Sequence, residues 1–389
     1  MSNWPCYPLS SLGRVTTGST PRTSEEHLYG GEIPFVTPAD LDQIDPVTST
    51  PRTLSHAGGN EARLLPAETV MVCCIGSLGK IGISGTTVAT NQQINSVVFD
   101  PLRIFSRFGF YACRRLKSKL ETMAPATTLA IVSKSKFEQL EIPVPPLPEQ
   151  RRIAEVLDRA EALRAKRRAA LAQLDTLTQS IFLDLFGDPV TNPKGRPIRD
   201  LQTVVKAGTI VTYGIVQAGD EHPGGIPYIR TGDIVDGEIK RENLRHTDPK
   251  IAARFDRSRV EAGEIVMSIR ATVGTTALVS SDLDGANLTQ GTARIAPGES
   301  TDRLYLLAFL RAPGTQHWIS RQVKGATFRE ITLTRLRELP VAVPPLDLQR
   351  RFAREVAAVD KLKSAHRASL AKLDALFASL QHRAFRGEL

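Results

Sequence analysis

Patterns that mark a metal site, a disulfide framework or a membrane span are scarce in this sequence of 389 residues. Its four cysteines, Cys6, Cys73, Cys74 and Cys113, fall in the first third, and none has the CxxC spacing of zinc or redox pairs. No run approaches the roughly 18 apolar residues of a membrane span, and the N-terminal segment lacks the apolar core of a signal peptide. We therefore expect reduced thiols in a soluble, cytoplasmic protein.

Catalytic motifs are also missing or incomplete. The segment GSLGKIG, residues 76–82, has two residues instead of four between its first glycine and GK, so it is not a phosphate-binding P-loop. The seven histidines show no ligand spacing, and no GxSxG nucleophile turn is present. Asn192-Pro193-Lys194 lacks the second proline and the aromatic residue that an adenine methyltransferase needs. The sequence therefore predicts a chain without an active site of its own.

One short pattern leaves an alternative open. DGEIK, residues 236–240, has the ExK end of a nuclease pattern in which carboxylates and a lysine surround a magnesium ion. So short a pattern arises by chance, and a charged hairpin explains the same residues.

The net charge favours a polyanionic partner. Fifty Lys and Arg against forty-one Asp and Glu give a net charge of +9. Each neutralised phosphate releases counterions, which favours association with nucleic acid. Many soluble proteins carry a similar excess, so charge alone does not establish DNA binding.

One phrase occurs twice, as VPPLPEQRRIA at 144–154 and as VPPLDLQRRFA at 343–353, an offset of 199. Continued without a gap to Phe186, this alignment gives 18 identities in 43 positions. Earlier segments agree more loosely: IPFVTPAD at 33–40 resembles IPYIRTGD at 226–233, and 67–79 resembles 262–274. The chain is predicted to be a tandem pair, each copy a variable domain followed by a long element.

The long element is predicted to be a helix with a coiled-coil seam, because its apolar positions alternate in steps of three and four. In the first copy they are Ile153, Val156, Ala160, Leu163, Ala170, Leu174, Leu177 and Ile181. In the second copy they are Phe352, Val359, Leu362, Leu373, Leu376 and Leu380. At 1.5 Å per residue, about 36 residues span roughly 54 Å. Neither helix can bury its stripe alone, so we expect the two to pack together.

One seam position is polar in both copies, occupied by Arg167 and by its equivalent His366. If the helices pair antiparallel about a pseudo-twofold axis, the two side chains meet at the midpoint, where a buried polar pair can set the register. The alternative is that both side chains turn to solvent.

The expected fold class is α+β. Two mixed domains with short strands, at 1–146 and 198–345, are separated by two long helices, at 147–186 and 346–386, which form an antiparallel coiled coil. Residues 187–197, with three prolines and two glycines, are the linker. Two unlike domains on a stiff spacer suit two half-sites of a duplex about 34 Å apart.

The sequence resembles the specificity subunit of type I restriction-modification systems. PPLPEQRRIA, LFGDPVTNPKG, PPLDLQRRFA and RAFRGEL occur in this order, and the resemblance spans the whole chain. It implies a non-catalytic subunit whose two target recognition domains each read half of a bipartite, asymmetric DNA site. It further implies that the helices dock two methyltransferase subunits, and that motor or endonuclease subunits join the complex. S-adenosylmethionine, ATP and Mg²⁺ would belong to those partners and not to this chain.

The candidate DNA contacts are polar residues near turns, chosen because Arg and Lys reach guanine or phosphate while Asn and Gln pair with adenine. In the first domain they are Arg22, Thr37, Lys80, Asn91, Gln92 and Gln93. In the second they are Arg230, Thr231, Arg270, Thr272 and Gln290. Lys134, Lys136 and Arg329 fit phosphate contacts better. For each candidate, a solvated loop residue or a phosphate contact without sequence information is an equal alternative.

The candidate partner contacts are leucines that flank the seam: Leu157, Leu171, Leu185 and Leu370. A solvated helix face is the usual alternative.

Two other hypotheses cover the whole chain. A stand-alone nuclease or methyltransferase would turn over unaided, whereas a protein-only scaffold would show no salt-sensitive binding to duplex DNA.

Overall fold

The duplicated sequence folds twice, once in each of two structural units. The computed structural model describes residues 4–124, 129–242, 244–325 and 329–389. Unit 1 comprises residues 1–168 and 368–389, and unit 2 comprises residues 169–367. Each unit therefore contains one globular part, the first half of one long helix and the second half of the other.

The strands of unit 1 are β1 (Cys6–Pro8), β2 (Gly13–Thr17), β3 (Tyr29–Val36), β4 (Thr53–Leu54), β5 (Val70–Cys73), β6 (Ile81–Ile83), β7 (Ala89–Thr90), β8 (Ile94–Phe99) and β9 (Glu141–Pro143). Its helices are α1 (Leu9–Leu12), α2 (His56–Glu61), α3 (Ser106–Arg114), α4 (Lys117–Met123), α5 (Lys134–Glu138) and the first half of α6 (Leu147–Phe186).

Antiparallel pairing dominates in unit 1. The four-stranded sheet β2-β8-β5-β6 is wholly antiparallel, and the three-stranded sheet β4-β3-β7 contains one parallel pair, β3 with β7. All four residues of β5 are buried, as expected for a strand with a continuous apolar sequence. β1 pairs with β9, which ties the start of the chain to the segment that leads into α6.

The strands of unit 2 are β10 (Ile198–Asp200), β11 (Thr212–Tyr213), β12 (Ile226–Ile229), β13 (Ile234–Val235), β14 (Glu238–Ile239), β15 (Arg245–Thr247), β16 (Ile265–Ser268), β17 (Thr276–Leu278), β18 (Asn287–Leu288), β19 (Thr292–Ile295) and β20 (Pro340–Ala342). Its helices are α7 (Pro249–Ala253), α8 (Arg303–Arg311), α9 (Pro313–Gln322), α10 (Leu333–Arg337) and the first half of α11 (Leu346–Ala384), together with the second half of α6.

Unit 2 repeats the topology of unit 1. Its sheet β11-β19-β16-β17 is antiparallel, its sheet β15-β12-β18 contains the parallel pair β12 with β18, and β10 pairs with β20. The DGEIK segment forms the hairpin of β13 and β14, with positive φ at Asp236 and Gly237, the geometry of a two-residue type I′ turn. In the described residues, no cluster of three His, Cys, Asp or Glu could hold a metal ion. These residues thus form the charged hairpin.

The long helices run antiparallel where they meet within each unit. In unit 1, Arg164 of α6 binds Asp374 of α11 at 2.6 Å, and Arg152 donates to the Leu389 carbonyl at 2.7 Å. Residue numbers therefore rise along one helix while they fall along the other.

Unit 2 shows the same relation between the opposite halves of the two helices. Lys363 of α11 binds Asp175 of α6 at 2.9 Å, and the rings of Phe352 and Phe186 lie 5.5 Å apart. The antiparallel pairing expected for the two long helices is confirmed, as is the α+β fold class.

The predicted seam is buried only in part: Ile153, Ala160, Phe352 and Val359 are buried, but its leucines near the middle of the helices are not. Leu163, Leu177, Leu362 and Leu376 are 53%, 43%, 52% and 49% exposed, whereas Leu157 is fully buried. Each helix half packs against its globular part as well as against the other helix. In unit 1, Leu157 belongs to the core that contains α3 and α5 residues. The globular part, and not the heptad pattern alone, selects the buried stripe.

Arg167 and His366 are both half-buried. This degree of burial argues against the alternative in which both side chains turn fully to solvent.

The four cysteines are free thiols, of which Cys6 is exposed and the other three are buried. Burial raises the pKa of Cys74 and of Cys113 to about 12, so both thiols are protonated and unreactive at neutral pH. Among the described residues, no helix combines the length and apolarity that crossing a bilayer demands.

Candidate nucleic-acid interface

The candidates of unit 1 lie on loops that meet at one edge of its sheets. The parallel strands β3 and β7 end side by side at Val36 and Thr90. β5 ends at Cys73, opposite Ile94, where β8 begins. The loops that follow these strand ends carry Thr37, Lys80, Asn91, Gln92 and Gln93.

Hydrogen bonds join these loops to one another and to the loop after β2. The Lys80 ammonium donates to the Pro38 carbonyl at 3.3 Å, and the Thr20 hydroxyl donates to the side-chain oxygen of Gln92 at 2.5 Å. Arg22 follows Thr20 closely, and its side chain is 82% exposed. The structure therefore brings all six candidates of the first domain to the same edge.

The six candidates do not have the same role in this structure. Asn91 and Gln93 are half-buried and bond to each other, since the Asn91 amide donates to Gln93 Oε1 at 2.9 Å and the Gln93 backbone donates to Asn91 Oδ1 at 3.1 Å. The Thr37 hydroxyl donates to the Asp40 carboxylate at 2.8 Å. Gln92 is exposed between its two neighbours. Asn91 and Gln93 thus build the turn that presents Gln92.

A glycine allows the backbone after β2 or β11 to approach this edge in each unit. A Cβ on Gly18 would lie 2.3 Å from the Thr90 carbonyl oxygen, and a Cβ on Gly214 would lie 2.0 Å from the Leu288 carbonyl oxygen. No side chain fits in either place, so only glycine permits this backbone packing. The two units therefore build the edge in the same way.

The candidates of unit 2 occupy the equivalent edge. The parallel strands β12 and β18 end at Ile229 and Leu288, and β16 ends at Ser268. The loops that follow carry Arg230, Thr231, Arg270, Thr272 and Gln290.

Two of the three candidate arginines of unit 2 bind a carboxylate. Arg230 makes two hydrogen bonds to Asp233, at 3.0 and 2.8 Å, and these bonds are the largest contribution to its raised pKa. Arg270 binds Glu330 at 3.0 Å. A guanine or phosphate would have to compete with these carboxylates. In unit 1 the candidate Arg22 also lies near a carboxylate, Glu25, but at the longer distance of 3.5 Å.

The polar candidates of unit 2 also bond within the loop cluster. With its amide in the orientation that its neighbours require, Gln290 donates to the carbonyls of Ile215 and Val216 at 2.8 and 3.0 Å. The hydroxyls of Thr272 and Ser268 lie 3.3 Å apart. Gln290 therefore ties the loop after β11 to the loop after β18, much as the Thr20–Gln92 bond does in unit 1.

The three candidates for phosphate contacts are exposed and border the same edges. Lys134 and Lys136 lie on α5, which begins just after Ile131, and Ile131 pairs with Ile75 in the loop between β5 and β6. Arg329 accepts a backbone hydrogen bond from Ala271 at 3.0 Å, in the equivalent loop of unit 2.

The structure adds two residues that were not predicted from the sequence. Thr20 bonds to Gln92, and the exposed Arg63 donates to the Thr17 carbonyl at 2.8 Å at the end of β2. Thr20 stands beside a Pro-Arg turn, a signal that could have singled it out. Arg63 has no local signal, because its contact joins residues 46 positions apart.

The structure also revises the candidate partner contacts on the helices. Leu157 has no exposed surface, because it packs in the core of unit 1, so the expectation is corrected for this residue. Leu171 and Leu370 are half-buried, and Leu185 packs against the core of unit 2. The leucines most exposed on these helices are Leu163 with its repeat equivalent Leu362, and Leu177 with its equivalent Leu376.

Comparison with known proteins identifies the family. A family model described as the type I restriction modification DNA specificity domain matches residues 1–173 and again residues 196–374. The chain belongs to this type I restriction-modification specificity family. Each match covers one globular part and much of the long helix that follows it, in agreement with the internal repeat. Members of this family are the non-catalytic components of their systems, as the missing catalytic motifs predicted.

Relatives match over the whole length of the chain. The EcoBI specificity subunit of Escherichia coli is 25% identical over 419 residues, covering 100% of this chain and 86% of the relative. The EcoKI specificity subunit of Escherichia coli K12 is 23% identical over 419 residues, covering 99% and 89%. A shorter match, 34% identical over 99 residues, covers 25% of this chain and 22% of the HindI specificity subunit of Haemophilus influenzae.

Solved structures share the fold. The type I restriction-modification S subunit from M. genitalium has a TM-score of 0.57 at 16% identity, covering 99% of this chain and 96% of that chain. A chain from a study of complex assembly and conformational transition of the type I R-M system has a TM-score of 0.57 at 20% identity, covering 99% and 98%.

Proposed function

We propose that this specificity subunit reads a bipartite, asymmetric DNA site, with one unit at each half of the site. The observation that carries the proposal is the pair of equivalent loop edges, built on the same strands and glycines but lined by unlike side chains. Unit 1 offers the exposed Gln92 and the 82% exposed Arg22, which lies 3.5 Å from Glu25. Unit 2 instead offers Arg230 and Arg270, which bond to carboxylates at 2.8 and 3.0 Å. Different donors and acceptors select different base edges, so the two half-sites differ in sequence.

Base contacts and phosphate contacts are assigned to different residues. Gln92 is the proposed base-reading side chain of unit 1, because it is exposed and held by Thr20. Lys134, Lys136 and Arg329 are the proposed phosphate contacts, because they are exposed cations beside the loop edges. Phosphate contacts set the orientation of the protein on the duplex and carry no sequence information by themselves.

The helices are proposed to dock methyltransferase subunits through their exposed leucines. Leu163 and Leu376 both belong to unit 1, and Leu177 and Leu362 both belong to unit 2. In unit 1, the Arg164–Asp374 ion pair places Leu163 and Leu376 at the same level along the antiparallel helices. Each unit thus offers a leucine pair of the same composition, which supports two docked subunits. The half-buried Leu171 and Leu370 extend this proposed surface.

The remaining parts of the complex are also proposals. S-adenosylmethionine, ATP and Mg²⁺ are assigned to methyltransferase and motor subunits and not to this chain. The complex is proposed to act in the cytoplasm, because its proposed substrate is genomic duplex DNA.

The experiment that tests the bipartite site maps methylated adenines. The chain is co-expressed with the methyltransferase subunit of its own system in a host that lacks adenine methylation, and the host genome is sequenced for methylated adenine. We expect one motif with two unlike halves separated by a spacer of constant length. Cells with the methyltransferase subunit alone serve as the control and should show no such motif. A contiguous or palindromic motif would contradict the proposal.

A further inference from the structure

A buried glutamine joins the start of each long helix to its globular part. In unit 1 this residue is Gln150, in the first turn of α6, with 0% of its surface exposed. Its side-chain oxygen accepts from the Phe105 backbone at 2.8 Å. Its side-chain nitrogen donates to the Pro145 carbonyl at 2.8 Å and to the Arg103 carbonyl at 2.9 Å.

Unit 2 contains the same three bonds around Gln349, which is the repeat equivalent and is also 0% exposed. Its oxygen accepts from the Asp302 backbone at 2.8 Å. Its nitrogen donates to the Pro344 carbonyl at 2.8 Å and to the Ser300 carbonyl at 3.1 Å. The contacted loops differ completely in sequence, RIF at 103–105 against STD at 300–302. The bonds are kept because all six partner groups are backbone atoms.

The three bonds around each glutamine connect the start of a long helix to the adjacent globular part, and we call this connection a joint. One proline carbonyl belongs to the segment that leads into the long helix, and the other two groups belong to the loop before α3 or α8. One amide therefore bonds both to the helix start and to the globular part, in addition to the apolar packing of residues such as Leu157. Its two N–H groups and its oxygen are all bonded, so the buried amide is satisfied. The amide is neutral, so the joint itself does not depend on salt or on protonation.

We infer that Gln150 and Gln349 are positioning residues that hold each recognition edge at a set angle to its long helix, and so determine which spacing between half-sites is accepted. This inference rests on the proposed bipartite site. A joint that bends would let each unit reach half-sites at other separations, whereas a stiff joint penalises them. These residues touch no base; they act through the orientation of the units.

The test compares binding to sites of different spacer length. DNA duplexes carry the methylation motif mapped above with its natural spacer, or with a spacer one base pair longer or shorter. The complex of this chain with its methyltransferase subunits is titrated against each duplex, and the ratio of the dissociation constants is measured. Gln150→Met and Gln349→Met remove the three bonds of each joint at similar side-chain length. Gln173→Met, at an exposed position of α6, is the matched control.

The ratio is the dissociation constant for the altered spacer divided by that for the natural spacer. We expect it to be large for wild-type protein and for Gln173→Met. For Gln150→Met and Gln349→Met we expect it to fall by about tenfold, which corresponds to about 1.4 kcal/mol. Affinity for the natural spacer should change less than this ratio, which a loss of stability alone would not produce.

The outcomes separate the two proposals. If wild-type protein shows no spacer preference, the bipartite site itself is contradicted. If wild-type protein prefers the natural spacer and both folded Met variants keep the full ratio, the positioning role is overturned. Failure of both variants to fold, judged by circular dichroism, would show that the amides serve stability and would also overturn it.

Discussion

A buried ion pair in unit 2 shows how strongly one side chain can depend on another. Arg294 of β19 donates to both oxygens of Glu264, at 2.7 and 2.6 Å, and both side chains are buried. Burial alone lowers the pKa of Arg294, but the hydrogen bonds and charge of Glu264 outweigh this effect and raise it. Glu261 also approaches Arg294, at 3.4 Å, but its side chain is 56% exposed.

This arrangement predicts that a Glu→Gln substitution lowers the free energy of unfolding more at Glu264 than at Glu261. Glu264→Gln removes the charge of the buried partner, and we expect a loss of about 3 kcal/mol in the free energy of unfolding, because breaking a buried pair leaves a charge uncompensated. Glu261→Gln should cost less than about 1 kcal/mol, because exposed ion pairs are weak. Denaturant unfolding followed by Trp318 fluorescence in a Trp4→Phe background measures both. Equal losses for the two variants would show that burial does not govern the pair.

The recognition loops make a similar point about single residues. Arg230 and Arg270 have the side-chain chemistry of guanine contacts, yet each is bound to a carboxylate in this structure. Their partners, Asp233 and Glu330, lie three and sixty residues away along the chain. Residue type alone predicts which groups an amino acid could bind, while the tertiary contacts decide which of these groups are already taken.

At the scale of elements, the long helices were the most predictable part of the chain. The first was expected at 147–186 and is observed at Leu147–Phe186; the second was expected at 346–386 and ends at Ala384. Prolines set their starts because proline restricts the residue before it to extended conformations. The buried stripe was predicted less well. Leu163 and Leu177 match the heptad pattern but are exposed, because the globular parts compete for the helix surface.

The exposed leucines predict how substitutions on the two long helices will separate folding from assembly. Leu163→Asp and Leu362→Asp should leave the far-ultraviolet circular dichroism unchanged, because both side chains are about half exposed. We expect the two substitutions together to abolish co-purification with the methyltransferase subunit, because each places a carboxylate without a partner in the docking surface of one unit.

Leu157→Asp is the contrasting variant on α6. Its side chain is fully buried in the core of unit 1, so we expect this substitution to unfold that unit rather than to affect assembly alone. Assembly that survives Leu163→Asp and Leu362→Asp together would remove the exposed leucines from the docking surface.

At the scale of the whole molecule, the internal repeat predicts that the two half-sites are read independently. Gln92→Ala should relax base preference in one half of the methylated motif and leave the other half unchanged, because Gln92 belongs to unit 1 alone. We expect a loss of about 1–3 kcal/mol of discrimination at one base pair. Mapping methylated adenines with this variant measures the change.

Lys134→Ala is the matched comparison within the same unit. A lysine that contacts phosphate should weaken binding to all sequences alike and should lower the slope of log affinity against log salt by about one. Sequence-dependent effects of Lys134→Ala, or a change of both half-sites with Gln92→Ala, would contradict this assignment.

The sequence by itself determined the tandem architecture, the two helices and the family. These follow from signals that lie close together along the chain or that recur at a constant offset: paired prolines, alternating apolar steps and two copies of one phrase. Such signals need no knowledge of which distant residues meet. They are also what the family model matches in residues 1–173 and 196–374.

Only the tertiary structure decided which face of each helix is buried, which turn residues share an edge, and which arginines are already paired. The joints at Gln150 and Gln349 belong here too, because their partner groups are backbone atoms up to 49 residues away and leave no trace in side-chain identity. These properties depend on contacts between distant segments. The sequence determines which groups a side chain can bind. The packing of the folded chain determines which of those groups lie within its reach.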